Sequence, residues 1–230
     1  MNIKICTPVI GVTLDDFLSN LKKTQKISDF VELRTDYIQD FSEEDIETIR
    51  KETKVQSIFT CRKKEEGGKF QGDEKERVRI LQKAIDSGFE HVDIELKTMK
   101  DNYFRLNKKV KLIVSYHNFA ETPSYWDMQS IIYQMNELKP DILKIATMMH
   151  EEYESTKIYR LLTNKPHTEE RIVIGMGEKG RMTRILGPLL GSYLTYASTQ
   201  YGESAPGQID INELKEIYKL LENNKFTKSS

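Results

Sequence analysis

Short apolar runs alternate with longer amphipathic stretches along the whole chain, and this alternation predicts its secondary structure. The short runs have the length and composition of buried strands, and the stretches between them have helical periodicity. We predict eight strands, at residues 3–10, 29–34, 55–62, 91–96, 111–117, 141–146, 171–176 and 191–197. We predict eight helices, at residues 14–23, 42–51, 73–87, 97–107, 124–138, 151–163, 181–190 and 211–222. A capping box from Ser42 to Asp45 opens the second helix.

Regular alternation of strands and helices predicts parallel βα units. At 230 residues, a single closed (β/α)8 TIM barrel of the α/β class accommodates eight such units. A doubly wound open sheet is the alternative. No low-complexity linker divides the chain, so we predict one barrel domain over residues 1–230, with a frayed tail at 223–230.

Within the strands, successive side chains point to opposite faces and sort into an apolar and a polar set. In the second strand, for example, Val31 and Leu33 share one face, and Glu32 and Arg34 share the other. The apolar face would pack on the helices, and the late inward positions would line the carboxyl-terminal mouth, where active sites of barrels lie. The ionisable residues predicted there include Glu32, Arg34, Arg62, Asp93, Glu95, His117 and Lys144.

Lys144 interrupts an otherwise apolar strand, and two interpretations stay open. One is a structural ion pair with Glu32, Asp93 or Glu95. The other is a nucleophilic amine, partly desolvated and beside Arg34 and Arg62, whose lowered pKa lets it condense with a carbonyl group.

His117 ends the neighbouring strand and shares the predicted mouth with Lys144. A lone histidine is often structural. An imidazole that titrates near neutral pH can also take up and return a proton during catalysis.

Three loops carry further candidate chemistry. The letters GMGEKG at 175–180 match a dinucleotide fingerprint, but they follow the seventh strand and lack the acidic residue that such a site needs. They predict either a phosphate site or a turn that places Arg184 on a carboxylate. The loop 203–208, ESAPGQ, either folds over the mouth or forms an ordinary turn, and the same holds for the polar loop 65–73.

Composition narrows the functional classes. A net charge of −1 gives no reason to expect a nucleic-acid partner, and neither a membrane span nor a signal peptide is predicted. Cys6 and Cys61 lie in strand-like runs, which favours small buried thiols of a reduced, cytoplasmic protein. The four histidines are scattered, so no metal site is predicted.

Taken in order, the motifs of the chain resemble the type I 3-dehydroquinate dehydratases, lyases of the shikimate pathway. The resemblance covers nearly the whole chain. It rests on VELRTDY, TCRKKEEGG, SYHNFAETP, LKIATM, GMGEKGRMTR, LTYAS and SAPGQI.

The resemblance implies that Lys144 forms an imine with the ketone of 3-dehydroquinate and that His117 is the general acid and base. It implies that Glu66, or its neighbour Glu65, orients the histidine. It assigns substrate binding to Glu32, Arg34, Arg62, Arg184, Ser204 and Gln208, with Arg184 on the carboxylate and the last two on a closing loop.

The resemblance further implies a cytoplasmic homodimer that needs no cofactor and no metal, and a role in chorismate and aromatic amino acid biosynthesis. Two other functions stay open. A Schiff-base aldolase would share the lysine and bind phosphate at 175–180. A non-catalytic barrel that binds a small acid would tolerate the loss of Lys144 and His117.

Overall fold

The computed structural model describes residues 3–223, in which parallel strands alternate with helices. The strands are β1 Ile5–Val9, β2 Phe30–Arg34, β3 Gln56–Thr60, β4 His91–Glu95, β5 Lys111–Asn118, β6 Ile142–Met148, β7 Arg171–Met176, β8 Thr195–Ser198 and β9 Ile209–Asp210. The helices are α1 Leu14–Thr24, α2 Asp45–Glu52, α3 Glu74–Asp86, α4 Leu96–Asp101, α5 Tyr125–Asn136, α6 Ser155–Thr163, α7 Arg181–Leu186 and α8 Ile211–Asn223.

The strands follow one another around a barrel in chain order. β1 pairs in parallel with both β2 and β8, so the first strand of the chain lies beside the eighth. A parallel bridge between Arg171 and Ser192 joins β7 to the segment that precedes β8, and the N–H of Tyr193 donates to the carbonyl of Arg171 at 2.7 Å. The predicted (β/α)8 barrel is therefore confirmed, with β9 added outside on β8.

The predicted alternation within strands separates two apolar layers. One layer lies between the strands and the helices and includes Val31, Leu33, Phe59, Cys61, Val92, Ile94, Leu143 and Ile145. The other fills the barrel and includes Cys6, Ile58, Ile113, Ile142, Ala146, Ile172 and Tyr196. Both cysteines are free and buried. The inward face is apolar in the interior of the barrel and polar near the carboxyl ends of the strands. The charged residues therefore gather at the carboxyl end of the barrel.

Predicted ends of α2, α4, α6 and α7 are wrong by three residues or more. α6 begins at Ser155 and not at residue 151, because Glu152–Glu154 form a separate 3-10 turn. α2 begins at Asp45. Half of the predicted capping box is present, since the Asp45 carboxylate accepts from the N–H and the hydroxyl of Ser42, at 2.9 and 3.0 Å. The N–H of Asp45 donates to the carbonyl of Ser42 and not to its hydroxyl, so the other half is not formed.

α4 ends at Asp101, well before the predicted residue 107. The side chain of Gln82 there bonds both the N–H and the carbonyl of Arg105, which replaces helical hydrogen bonding.

Near the end of the barrel the regular elements are shorter than predicted. α7 ends at Leu186 because Pro188, two residues later, lacks the N–H that a continuing helix needs. β8 begins only at Thr195.

Within residues 3–223, no helix is long and apolar enough to cross a bilayer. The predicted frayed tail lies outside these residues, apart from Asn223. The single domain over 1–230 stays a prediction.

Candidate active site

All nine residues singled out from the sequence line one pocket at the carboxyl ends of the strands. They come from six different strand ends and loops, so only the closed barrel brings them together. The remaining walls are mainly apolar and aromatic. The nine are Glu32, Arg34, Arg62, Glu66, His117, Lys144, Arg184, Ser204 and Gln208.

Lys144 lies inside the barrel with 4% of its surface exposed. Its Nζ lies 2.8 Å from Asp93 Oδ2 and 3.3 Å from Glu32 Oε1. The ammonium also lies 4.7 Å from the centre of the Tyr196 ring. Lys144 is thus an ion-pair partner in the resting structure. That matches the first interpretation, but its place in the pocket leaves the amine available to a bound ligand.

Asp93 connects Lys144 to a second cation. Its Oδ1 lies 2.8 Å from Arg62 and accepts from the hydroxyl of Ser115 at 2.6 Å. Burial raises the pKa of Asp93, but the charges of Arg62 and Lys144 outweigh burial and hold the pKa well below its usual range. Arg62 also pairs with Glu95 at 2.9 Å. Asp93 therefore stays ionised and fixes both cations.

The cationic neighbours expected to act on Lys144 are themselves neutralised. Arg34 is held bidentately by Asp36, with both N–O distances at 2.8 Å, and Arg62 pairs with two carboxylates. The carboxylates of Asp93 and Glu32 lie in direct contact with Nζ. Arg34 and Arg62 are therefore cationic neighbours whose charges are balanced by carboxylates in the resting structure, because a buried guanidinium requires a counter-ion.

His117 is oriented by Glu66. Oε2 of Glu66 lies 3.0 Å from Nδ1 of His117 and accepts from the backbone N–H of the same residue, also at 3.0 Å. Glu65 is exposed, so Glu66 is the carboxylate in contact. The turn that follows requires Gly67, whose φ is +80° and whose missing Cβ would lie 2.3 Å from the Phe119 ring. With Nδ1 bonded to a carboxylate, Nε2 is left as the acceptor.

Burial is the first reason why the pKa of His117 lies well below 6.5, and the charges of Arg62 and Lys144 lower it further. The imidazole is consequently neutral at neutral pH. Burial also raises the pKa of Glu66, although Arg62 and Lys63 oppose that effect. A neutral, buried imidazole with a free Nε2 has the properties of a general base.

Among the residues that the structure describes, no carboxylate is in contact with the buried cation Arg184. Its exposed fraction is 1%, and its NH2 group donates to the carbonyl of Pro206 at 3.1 Å. Among residues 3–223, no hydrogen-bond acceptor reaches its Nε. Burial lowers the pKa of Arg184 to about 10, and the distant charge of Glu203 only partly offsets it. An anionic ligand in the pocket would supply the missing counter-charge.

The loop 203–208 lies over this pocket and is bonded to it. The carbonyl of Ser204 accepts from Arg34 at 3.5 Å, and the carbonyl of Pro206 accepts from Arg184 and from the N–H of Gly177. Ser204 and Gln208 bond each other, with the N–H of Ser204 donating to Gln208 Oε1 at 3.1 Å. Of the two alternatives left open for this loop, these contacts favour the one in which it folds over the mouth of the barrel.

The glycines of the loop 175–180 are turn formers in the structure. The N–H of Gly175 donates to Thr183 Oγ1, that of Gly177 to Pro206, and that of Gly180 to Gly177. Because these three amides are already bonded within the protein, they do not form a phosphate cradle. This favours the alternative in which the turn places Arg184.

Two residues of the site, Asp36 and Tyr196, were not among those singled out. Asp93 was named as an inward-facing residue of the fourth strand and as a candidate partner of Lys144, and the two are in contact. Asp36 follows Arg34 by two residues, and Tyr196 alternates inward in β8. Nothing local in the sequence shows that these side chains reach Lys144 or Arg34.

Comparison with known proteins agrees with the fold and indicates the family. A family model described as type I 3-dehydroquinase matches residues 5–225. The 3-dehydroquinate dehydratase of Coxiella burnetii is 42% identical over 217 residues, which cover 94% of this chain and 92% of the relative.

Two solved structures superpose over almost the full length of the chain. The 3-dehydroquinate dehydratase of Geobacillus kaustophilus has a TM-score of 0.85 at 25% identity, covering 99% of this chain and 93% of its own. The type I 3-dehydroquinate dehydratase of Clostridium difficile, solved with covalently modified comenic acid, has a TM-score of 0.82 at 25% identity, with coverages of 96% and 92%. This chain belongs to the type I 3-dehydroquinase family.

Proposed function

We propose that this protein dehydrates 3-dehydroquinate to 3-dehydroshikimate through an imine on Lys144, with His117 as general acid and base. The dehydratase activity follows from the family. The observation that supports the mechanism is one buried pocket that holds a lysine amine, a neutral histidine and an arginine with no carboxylate in contact. These three groups match a substrate with a ketone, an acidic C–H bond and a carboxylate.

The first step is proton loss from Lys144. Its ammonium is held between Asp93 and Glu32, so the amine needs a base before it can attack. Nε2 of His117 is the acceptor available in the pocket, since β5 and β6 are adjacent and His117 pairs with Ala146, two residues beyond Lys144. The amine lone pair then forms the bond to the carbonyl carbon, and the histidinium returns its proton to the oxygen. A second proton passes from the nitrogen to the same oxygen through His117, so water leaves, the protonated imine forms and His117 is neutral again.

The imine is the electron sink for the elimination. His117 removes a proton from the carbon next to the imine carbon, and the electrons of that C–H bond form an enamine. The enamine then expels the hydroxyl group of the next carbon, which leaves as water with the proton held by the histidinium. Hydrolysis of the conjugated imine releases the enone product and restores Lys144. The net change is the loss of one water molecule.

Glu66 and Asp93 make this sequence possible without reacting. Glu66 holds Nδ1 of His117, which keeps Nε2 directed to the ligand and stabilises the histidinium when it forms. Asp93 keeps Lys144 in place before attack. After the imine forms, the same carboxylate stabilises the positive charge on nitrogen, so the cation in the pocket has a counter-ion throughout.

The imine is tested by borohydride reduction during turnover. Hydride transfer to the C=N bond converts the imine into a stable secondary amine, so the mass of the ligand stays on the protein. We expect the added mass on the peptide that contains Lys144, in the presence of 3-dehydroquinate only. Consumption of substrate without any such adduct would contradict the proposal.

Replacing Arg184 with methionine tests carboxylate binding. We expect weaker substrate binding by roughly 2–5 kcal/mol, or about 30-fold or more in KM, because a desolvated charge pair is lost. The free protein should keep its stability, since the removed cation has no carboxylate in contact. Steady-state kinetics and inhibition by small carboxylates measure the effect.

Arg181→Met is the matched control, because Arg181 lies on the same helix, is 40% exposed and pairs with Glu178 at the surface. Its kinetic constants should match those of the unaltered protein. Equal KM values and inhibition constants in the two variants would refute the role of Arg184.

The homodimer, the cytoplasmic location and the biosynthetic role are proposed from the family resemblance. Sedimentation of the purified chain tests the first of them.

A further inference from the structure

Unpaired polar atoms concentrate in the active-site pocket. Within residues 3–223, three buried side-chain atoms have no hydrogen-bond partner, namely Thr24 Oγ1, Arg184 Nε and the hydroxyl of Tyr196. Two of these three residues line the pocket. Buried polar groups in proteins are nearly always bonded, so an unpaired one beside a ligand site indicates a partner supplied by the ligand. Arg184 already has such a role, and Tyr196 has none.

Tyr196 is placed beside the reactive amine by the closure of the barrel. It lies on β8, pairs with Cys6 of β1, and has an exposed fraction of 3%. The centre of its ring lies 4.7 Å from Nζ of Lys144. A ligand carbon bonded to that nitrogen would therefore lie next to the tyrosine.

The surroundings of Tyr196 keep its hydroxyl protonated. Burial raises the pKa of the phenol well above 10, and the charges of Glu32 and Asp93 raise it further, whereas Arg62 opposes them. These charges surround Lys144 as well. The tyrosine is therefore a neutral hydrogen-bond donor among the charged groups of the site.

We propose that the Tyr196 hydroxyl donates a hydrogen bond to the substrate oxygen on the carbon that Lys144 attacks. This inference rests on the proposed function. When the amine attacks, the π electrons of the C=O bond move onto that oxygen, which takes a proton and later leaves as water. A donor that retains its own proton stabilises the oxygen while its negative charge grows, as donors in an oxyanion hole do.

A purely structural role for Tyr196 predicts the opposite set of results. If the ring only fills space, its unpaired hydroxyl lowers the stability of the free protein and has no effect on the rate of the reaction. Phenylalanine would then serve equally well. Removal of a buried, unpaired hydroxyl should leave thermal stability unchanged or raise it in either case, so activity is the readout that separates the two roles.

The test compares Tyr196→Phe with Tyr193→Phe. Tyr193 lies just before β8, and its hydroxyl is paired, at 3.1 Å from Nε2 of His91 and away from the pocket. We expect Tyr196→Phe to lower kcat/KM about tenfold with an unchanged or higher melting temperature. Tyr193→Phe should keep kcat/KM and melt at a lower temperature. A kcat/KM of Tyr196→Phe within twofold of the unaltered protein would overturn the proposal.

A second comparison separates this inference from the imine mechanism. In the Lys144→Arg background no imine can form and the buried carboxylates stay paired, so equilibrium binding of 3-dehydroquinate reports noncovalent contacts alone. We expect Tyr196→Phe to weaken that binding severalfold. If borohydride shows no imine but the binding difference persists, the mechanism fails and the contact stands. If the dissociation constants with and without the hydroxyl are equal, the contact between Tyr196 and the substrate is refuted. This holds whether or not an imine is trapped.

Discussion

Lys144→Arg is expected to abolish turnover while leaving the fold intact. Arginine keeps a positive charge between Asp93 and Glu32, so the buried carboxylates remain paired. Its guanidinium stays protonated and is a poor nucleophile, so no imine can form. We expect kcat to fall by roughly four orders of magnitude or more, as when a covalent nucleophile is removed. The conjugated enone product absorbs in the ultraviolet, which gives a direct rate measurement.

The arginine variant is more informative than removal of the side chain. Lys144→Ala leaves two buried carboxylates short of a partner, and loss of one member of a buried pair costs about 3–5 kcal/mol of folding free energy. A loss of activity there could reflect unfolding. Urea denaturation should place Lys144→Arg close to the unaltered protein. Turnover of Lys144→Arg at a near-normal rate would show that the lysine is an electrostatic anchor only.

His117→Ala is expected to give the second largest loss, about 10²–10⁴-fold in kcat. Proton removal from the substrate, imine formation and imine hydrolysis each need a proton carrier, and this imidazole is the carrier in the pocket. The substrate should still bind, because the groups proposed to hold it are unchanged. Single-turnover trapping with borohydride should show slow formation of the imine. A variant that turns over within tenfold of the normal rate would exclude His117 as the base.

The pH profile gives an independent check on His117. The base must be neutral, and its pKa lies well below 6.5, so the neutral form is present down to low pH. We expect kcat/KM to hold nearly level from pH 7 to pH 6. For a histidine with an ordinary pKa of about 6.5, the neutral fraction would fall about threefold between pH 7 and pH 6. A profile that falls by that amount would contradict the buried, neutral histidine.

Glu65 and Glu66 provide a matched pair for the orienting role. Glu66→Gln keeps an acceptor for Nδ1 but removes the charge that stabilises the histidinium, so turnover should fall. Glu65 is exposed, and Glu65→Gln should leave the kinetics unchanged. Equal rates in the two variants would remove Glu66 from the mechanism.

Much of the barrel could be predicted because its signals are local. Alternation of side chains along β2, β3, β4 and β6 separates the helix-facing residues from the interior, and the structure confirms that division. The boundaries of α2 and α4 could not be predicted as well. Both boundaries depend on side chains that hydrogen-bond to backbone groups. At the end of α4, Gln82 of α3 bonds the backbone of Arg105, so this contact joins different parts of the chain.

The local sequence pattern could not predict which charged side chains of the site pair with each other. Lys144 and Arg62 are far apart in the chain, yet Asp93 contacts both. Alternation showed that these residues face inward but gave no distances between them. Glu32, Asp93 and Glu95 were therefore alternative partners of Lys144, and only the folded structure shows which carboxylates pair with the lysine and with each arginine.

By itself, the sequence determined the eightfold alternation of strands and helices, the inward face of each strand and the ordered motifs of the family. These properties follow from side-chain periodicity and composition, which are local. The tertiary structure decided that Glu66, and not Glu65, holds His117, that Lys144 rests between Asp93 and Glu32, and that Arg184 and Tyr196 keep unpaired polar atoms in the pocket. Each of these depends on distances between residues far apart in the chain, and those distances exist only once the barrel has closed.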